Sequence, residues 1–241
     1  MPIGVIANVL CVVFGGILGH LLGHKLSESF KEGLNTVFGA CAMSIGISSI
    51  ILMVNMPAVI FSVIAGTAIG LAIHLGDKIT YAGGLMEKCL EKLGISAGDE
   101  SPEKKNLLVT TIVLFCCSGT GIYGCIVSGM TGDHSILLAK SVLDFPTALI
   151  FACTLGAVTA IIAVPQTVIF LALFYFAKVI YPHCTPEMIN DFKACCGVIL
   201  LATGFRICKV KNFPVADMIP AMIMILPISY LWMTYILPLV S

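Results

Sequence analysis

Between residues 107 and 177 the chain carries three formal charges, Asp133, Lys140 and Asp144, all inside one block, GDHSILLAKSVLD. So long an apolar stretch leaves too little polar surface for a water-soluble fold, and charges embedded in it must face water, protein or a partner. Over the whole 241 residues 59% are hydrophobic and 11% are charged, where a soluble domain has about a quarter of its residues charged. The composition therefore predicts an integral membrane protein with no room for a separate soluble domain. A formal net charge of zero supplies no basic stripe, so nucleic acid is not expected as a partner.

A hydrocarbon layer of roughly 30 Å takes about 20 apolar residues per helix. On that measure spans are predicted near residues 3–24, 34–54, 57–75, 107–129, 147–163, 166–181, 188–206 and 215–238. The fifth and sixth are separated only by Val164, Pro165 and Gln166, so seven spans compete with eight. Lysine and arginine settle the preference, because short loops rich in them stay cytoplasmic. With the N-terminus outside, Lys25, Lys31, Lys78, Lys88, Lys92, Lys104, Lys105, Arg206, Lys209 and Lys211 fall inside, against Lys140, Lys178 and Lys193 outside. Seven spans would put the Arg206–Lys211 group outside, so eight are preferred. The expected fold is an all-α, polytopic transmembrane helical bundle, multi-pass in the inner (plasma) membrane with both termini outside. The first segment lacks a basic leader and is read as a retained helix, not a signal peptide.

Within a single membrane domain, 1–241, the reading separates a first half-bundle (1–75), a cytoplasmic amphipathic connector (76–106), central segments with the charged block (107–163) and a second half-bundle (164–241). The MEKCLEKLG stretch of the connector has helical apolar spacing and suits a helix on the membrane surface. At an offset of 158 residues Gly39 and Gly46 align with Gly197 and Gly204, and Asn8 with Gln166. Given the assigned orientation this is an inverted repeat of helices one to three and six to eight, or else a coincidence in Gly-rich apolar sequence.

Candidate functional residues follow from polarity in apolar surroundings. Asn8 lies near the outer end of the first span, where it is either a packing amide or part of a polar pathway. Thr120 and Tyr123 belong to the Gly-rich fourth segment, GTGIYGCIVSGMTG, whose glycines favour a broken helix. Broken helices at membrane depth need protein or a water-filled cavity to satisfy their freed backbone groups. If 133–145 is helical, Asp133, Leu137, Lys140, Ser141 and Asp144 share a face, with Lys140 and Asp144 one turn apart. That face is either an outer-surface loop with a local salt bridge or the lining of a solute path. His134 belongs to the same block. His20, His24 and Glu28 superficially suggest a metal ladder, yet ligands strung along one helix converge poorly, so a polar interfacial cap is favoured. Asp217 is expected to pair with Arg206 or to favour its helix N-terminus.

The eleven cysteines include no CxxC and read as small buried hydrophobes rather than disulfide or metal partners. HExxH, G-x-S-x-G, P-loop and dinucleotide fingerprints are absent from the sequence, so enzyme activity is not expected and no cofactor is implied.

The runs GTGIYGCIVSGMTGDHSILLAKSVLDFPTALIFACTLGAVTA and ACCGVILLATGFRICKVKNFPVADMIPAM, with the opening GVIANVLCVVFGGILGHLLG, resemble the prokaryotic YqgA/YdfK-type family of inner-membrane proteins. The resemblance covers nearly the whole chain and implies a membrane transporter. Carried over by motif are Gly132, Asp133, His134, Ser135, Lys140, Ser141, Asp144, Gly156 and Pro220. Leu171 and its neighbours stand where the family has a Gln-Gly pair, and Asp217 where it has an Asn, which leaves room for a different solute. The expected function is thus a secondary transporter or channel for a small polar or ionic solute. Asn8, Thr120, Tyr123, Asp133, His134, Lys140, Ser141, Asp144 and Gln166 are the candidate solute contacts. Expected partners are the lipid bilayer and the solute, with a homodimer as a further possibility. The alternative is a non-transporting scaffold or sensor that docks a partner through 76–106.

Overall fold

The computed structural model describes residues 1–22, 27–92 and 102–240, and the regular elements among them are all helical. In chain order they are α1 (Ile3–Leu22), α2 (Glu28–Ile50), α3 (Met56–Ala72), α4 (Leu75–Lys92), α5 (Pro102–Cys116), α6 (Gly119–Thr131), α7 (Ser135–Leu155), α8 (Val158–Ile161), α9 (Ala163–Ile180), α10 (Pro186–Ile207), α11 (Ile219–Leu231) and α12 (Leu237–Val240). A 3-10 turn, Val215–Met218, leads into α11, and a π-helical turn, Trp232–Ile236, follows it. Among the described residues seven helical stretches are long and apolar enough to cross a bilayer, and eight if the bent pair Met56–Ala72 and Leu75–Cys89 is one span. The chain is an all-α polytopic bundle.

Span placement differs from the sequence reading in the centre. In place of 147–163 and 166–181, the fifth and sixth spans are Ser135–Leu155 and Val158–His183. The charged block is therefore not an outer loop but the first half of a membrane helix. Two local features set this register. The Asp133 carboxylate accepts from Ser135 N (2.9 Å) and opens α7, while Gly156, at φ 75°, closes it in a left-handed conformation open to glycine. The expected break in segment four falls at Cys117–Ser118, where the Ser118 hydroxyl accepts from Gly121 N (3.2 Å) and starts α6. The expected surface helix of the connector is part of α4, whereas residues 93–101 lie outside the described residues, as does His24.

The chain forms two compact units that interleave in sequence, residues 1–35 with 77–179, and 36–76 with 180–241. They do not coincide with the half-bundles 1–75 and 164–241. In the first unit α1 runs parallel to α7, because Gly4 meets Leu137, Gly15 meets Phe145 and Gly19 meets Leu149. Val12, Ile112, Phe115, Ala148, Leu155 and Ile162 fill one core beside this seam, and Val5, Cys125, Leu137, Phe170 and Phe174 fill another. In the second unit α2 crosses α10 in the opposite sense, Gly39 against Gly204 and Gly46 against Gly197, and α3 likewise opposes α11 and the turn before it, Gly66 against Ala221 and Gly70 against Asp217. Small residues let these backbones approach, which is how apolar helices gain packing energy when lipid competes for the same surface.

The closeness of these seams predicts a sharp contrast between glycines. A Cβ at Gly70 would stand 1.9 Å from the Asp217 carbonyl oxygen, while one at Gly84 would meet nothing within 4 Å. Gly70→Ala should lower stability by about 1–3 kcal/mol through overpacking, whereas Gly84→Ala should raise it by about 0.5–1 kcal/mol through helix propensity. Thermal unfolding of both variants in detergent checks this, and equal melting points would refute the seam.

Candidate functional site

Asp144 sits about 14 Å from the start of α7 and about 17 Å from its end at 1.5 Å per residue, which places it near the middle of a spanning helix. A carboxylate at that depth needs compensation, and three helices provide it. One turn earlier on α7, Lys140 pairs its ammonium with Asp144 Oδ2. Asn8 of α1 donates its Nδ2 to the same oxygen (2.9 Å). Gln166 of α9 donates its Nε2 to Asn8 Oδ1 (2.7 Å). All four residues are buried, and the result is a continuous polar chain from α7 through α1 to α9.

Electrostatics explain why this arrangement survives in an apolar interior. The ammonium and carboxylate cancel, so the spanning helix carries no net charge. Lys140 also lies over the Phe115 ring at 5.9 Å from its centroid, a favourable setting for a cation near an apolar core. Asn8 fixes the carboxylate, and its own carbonyl is held by Gln166, so each amide has a defined orientation.

The chain is not saturated. Both contacts to Asp144 fall on Oδ2, and its side chain keeps 11% exposure against 4% for Lys140. Two buried side-chain oxygens among the described residues lack a hydrogen-bond partner, Gln166 Oε1 and Thr159 Oγ1. Thr159, Ile162, Ala163, Gln166 and Phe170 recur at helical spacing on the buried side of the Val158–His183 span, so both orphan oxygens belong to one face. An unpaired buried acceptor normally costs about 1–3 kcal/mol, so each such group needs a physical reason, a bound water or ligand being one.

Of the residues expected at the site, the structure brings together Asn8, Lys140, Asp144 and Gln166. Ser141 is buried beside them but donates to Leu137 O of its own helix (2.7 Å). Asp133 is exposed and serves the α6–α7 turn, so the expected five-residue face loses that member because the helix begins after it. His134 shares this turn, its Nδ1 2.6 Å from the Ser128 hydroxyl. Thr120 is half-buried in the first turn of α6 and Tyr123 is buried one turn later. Sequence reasoning missed Phe115 and Thr159. The only signal for Thr159 was its position two turns before Gln166.

It also missed Asp191, a fully buried carboxylate of α10. Its Oδ1 accepts from Val54 N (2.9 Å) and Asn55 N (2.8 Å), and its Oδ2 from Asn55 Nδ2 (2.8 Å) and the Ser229 hydroxyl (2.6 Å). This cluster ties the start of α3 and the last turn of α11 to α10. Asp217, expected to face Arg206, accepts instead from Gly76 N (2.8 Å), while Arg206 is exposed.

Residues 3–230 match the family model described as "Protein of unknown function (DUF554)". The chain is 40% identical over 232 residues to "Uncharacterized protein YqgA" of Escherichia coli (strain K12), covering 96% of this chain and 98% of the relative. It is 25% identical over 226 residues to "Uncharacterized membrane protein YdfK" of Bacillus subtilis (strain 168), covering 91% and 92%. No solved structure matches it.

Proposed function

We propose that the chain, which belongs to the DUF554 family, is a secondary transporter or channel for a small polar or ionic solute in the prokaryotic inner membrane. The observation that carries this reading is the polar chain Lys140–Asp144–Asn8–Gln166 at mid-span. Ionisable residues at such depth are expensive and, in membrane proteins, commonly line solute or ion paths.

Two further features favour the reading. The break between α5 and α6 puts a helix N-terminus inside the Leu107–Thr131 span, as in transporters whose discontinuous helices face a solute. The offset of 158 residues that maps Asn8 onto Gln166 also carries α2, Glu28–Ile50, onto α10, Pro186–Ile207, within one residue at each end. Pseudo-equivalent helices of opposite direction are what alternating access uses. Under the proposed topology, with both termini outside, α1 and α7 point inward and α10 opposes α2, in keeping with the directions of the packed helices.

Reconstitution of the full chain in liposomes with a panel of labelled amino acids, sugars, carboxylates and inorganic ions tests this. Uptake of at least one class is expected, with Asp144→Ala lowering it at least about 30-fold, the consequence of breaking a buried charged contact. Uptake unchanged in Asp144→Ala would remove the site, and impermeability to the whole panel would remove the transport reading.

A further inference from the structure

The charge state of the cluster restricts what can enter it. Lys140 and Asp144 form a closed, neutral pair in the middle of a span. A lone anion that bound Lys140 would release Asp144, and a lone cation that bound Asp144 would release Lys140. Either exchange strands a buried charge, which costs several kcal/mol. An uncharged solute would have to open the pair without replacing either partner. A solute carrying one charge of each sign replaces both and leaves every charge paired.

We propose that the cluster takes a small zwitterion with a primary ammonium group, the ammonium on Asp144 and the anionic group on Lys140. This names the solute class and rests on the transport reading above. The mobility needed is confined to one side chain. Lys140 has a long flexible stem, while Asp144 is held by Asn8, which is held by Gln166. Asp144 is also the more exposed partner and its Oδ1 makes no hydrogen bond among the described residues, so it offers an open acceptor to an arriving ammonium. A primary ammonium brings three N–H groups. Gln166 Oε1, fully buried and without a donor among the described residues, is the acceptor of the same polar chain that the proposal assigns to a second of them. Quaternary ammonium groups have no N–H to give it.

Thermal shift of the full chain in detergent and uptake into proteoliposomes test the class with the same probes: glycine, alanine, glycine betaine, methylamine, acetate and acetamide. Glycine or alanine should raise the melting point and enter vesicles, while methylamine, acetate and acetamide bind at least about 30-fold more weakly because each leaves a charge unpaired or unreplaced. Betaine should bind more weakly than glycine, and Gln166→Leu should narrow that gap by weakening glycine alone. The double variant Lys140→Met, Asp144→Leu restores neutrality without the charges and should fold yet lose glycine binding. Acetate or methylamine acting as strongly as glycine, glycine binding that survives in the double variant, or no response to either amino acid would overturn the proposal. Asp144-dependent uptake of a solute that is not a zwitterion would end this proposal and leave transport standing. Glycine binding at Asp144 without flux would end transport and leave the solute class standing.

Discussion

Asp144→Ala is expected to destabilise the protein by about 3–5 kcal/mol, the cost of leaving one member of a buried ion pair alone. Lys140→Met should do the same from the other side, because Asp144 would then keep only the Asn8 amide. The double variant Lys140→Met, Asp144→Leu should fall within about 1 kcal/mol of the parent, since a neutral apolar pair has no desolvation to compensate. The singles would therefore be strongly non-additive in a double-mutant cycle. Both partners are largely buried, so the coupling should persist at high salt, where exposed pairs fade. Melting points of the four proteins in detergent at low and high salt measure it. Additive effects, or coupling lost in salt, would mean that the pair lies in a hydrated surface. The double variant also separates stability from function: a folded protein that no longer moves solute shows the pair to be retained for its chemistry.

The same pair explains what the sequence could and could not convey. The helical type and a span count of seven to eight were readable, because runs of about 20 apolar residues have one solution in lipid. The register of the central spans was not, because a linear hydropathy reading penalises Lys140 and Asp144 separately. Their spacing of four residues lets them neutralise each other on one helix face, so the span runs straight through them. Asn8, Lys140, Asp144 and Gln166 were recognisable as polar residues in apolar context, while the offset relating Asn8 to Gln166 gave no sign that the two side chains touch. Asp133 does not share the helical face expected for it, because the spacing was extended past the residue that starts the helix. Thr159 is a site residue only through what it lacks, a hydrogen-bond partner, and that becomes visible only when three helices are packed. Asp191 has partners more than a hundred residues away at Val54 and Asn55, beyond the reach of periodicity.

Asp191→Leu should be among the most damaging single changes in the second compact unit. It removes the acceptor for four hydrogen bonds at once, and each donor left buried costs about 1–3 kcal/mol, so little folded protein is expected. Asp191→Asn should be intermediate. Its remaining carbonyl can serve Val54 N and Asn55 N, its new amide clashes with Asn55 Nδ2, and the Ser229 hydroxyl can turn to accept. Ser229→Ala removes one bond and should cost about 1–2 kcal/mol. The expected order is Ser229→Ala mildest, then Asp191→Asn, then Asp191→Leu, read as monodisperse yield and melting point in detergent. This carboxylate differs from Asp144 in having every oxygen committed to donors of its own unit, so it acts as a clasp on the start of α3 and not as a solute contact. Solute uptake by folded Asp191→Asn should accordingly match the parent per folded molecule. Loss of uptake with an unchanged melting point would contradict the clasp and make Asp191 a second functional carboxylate.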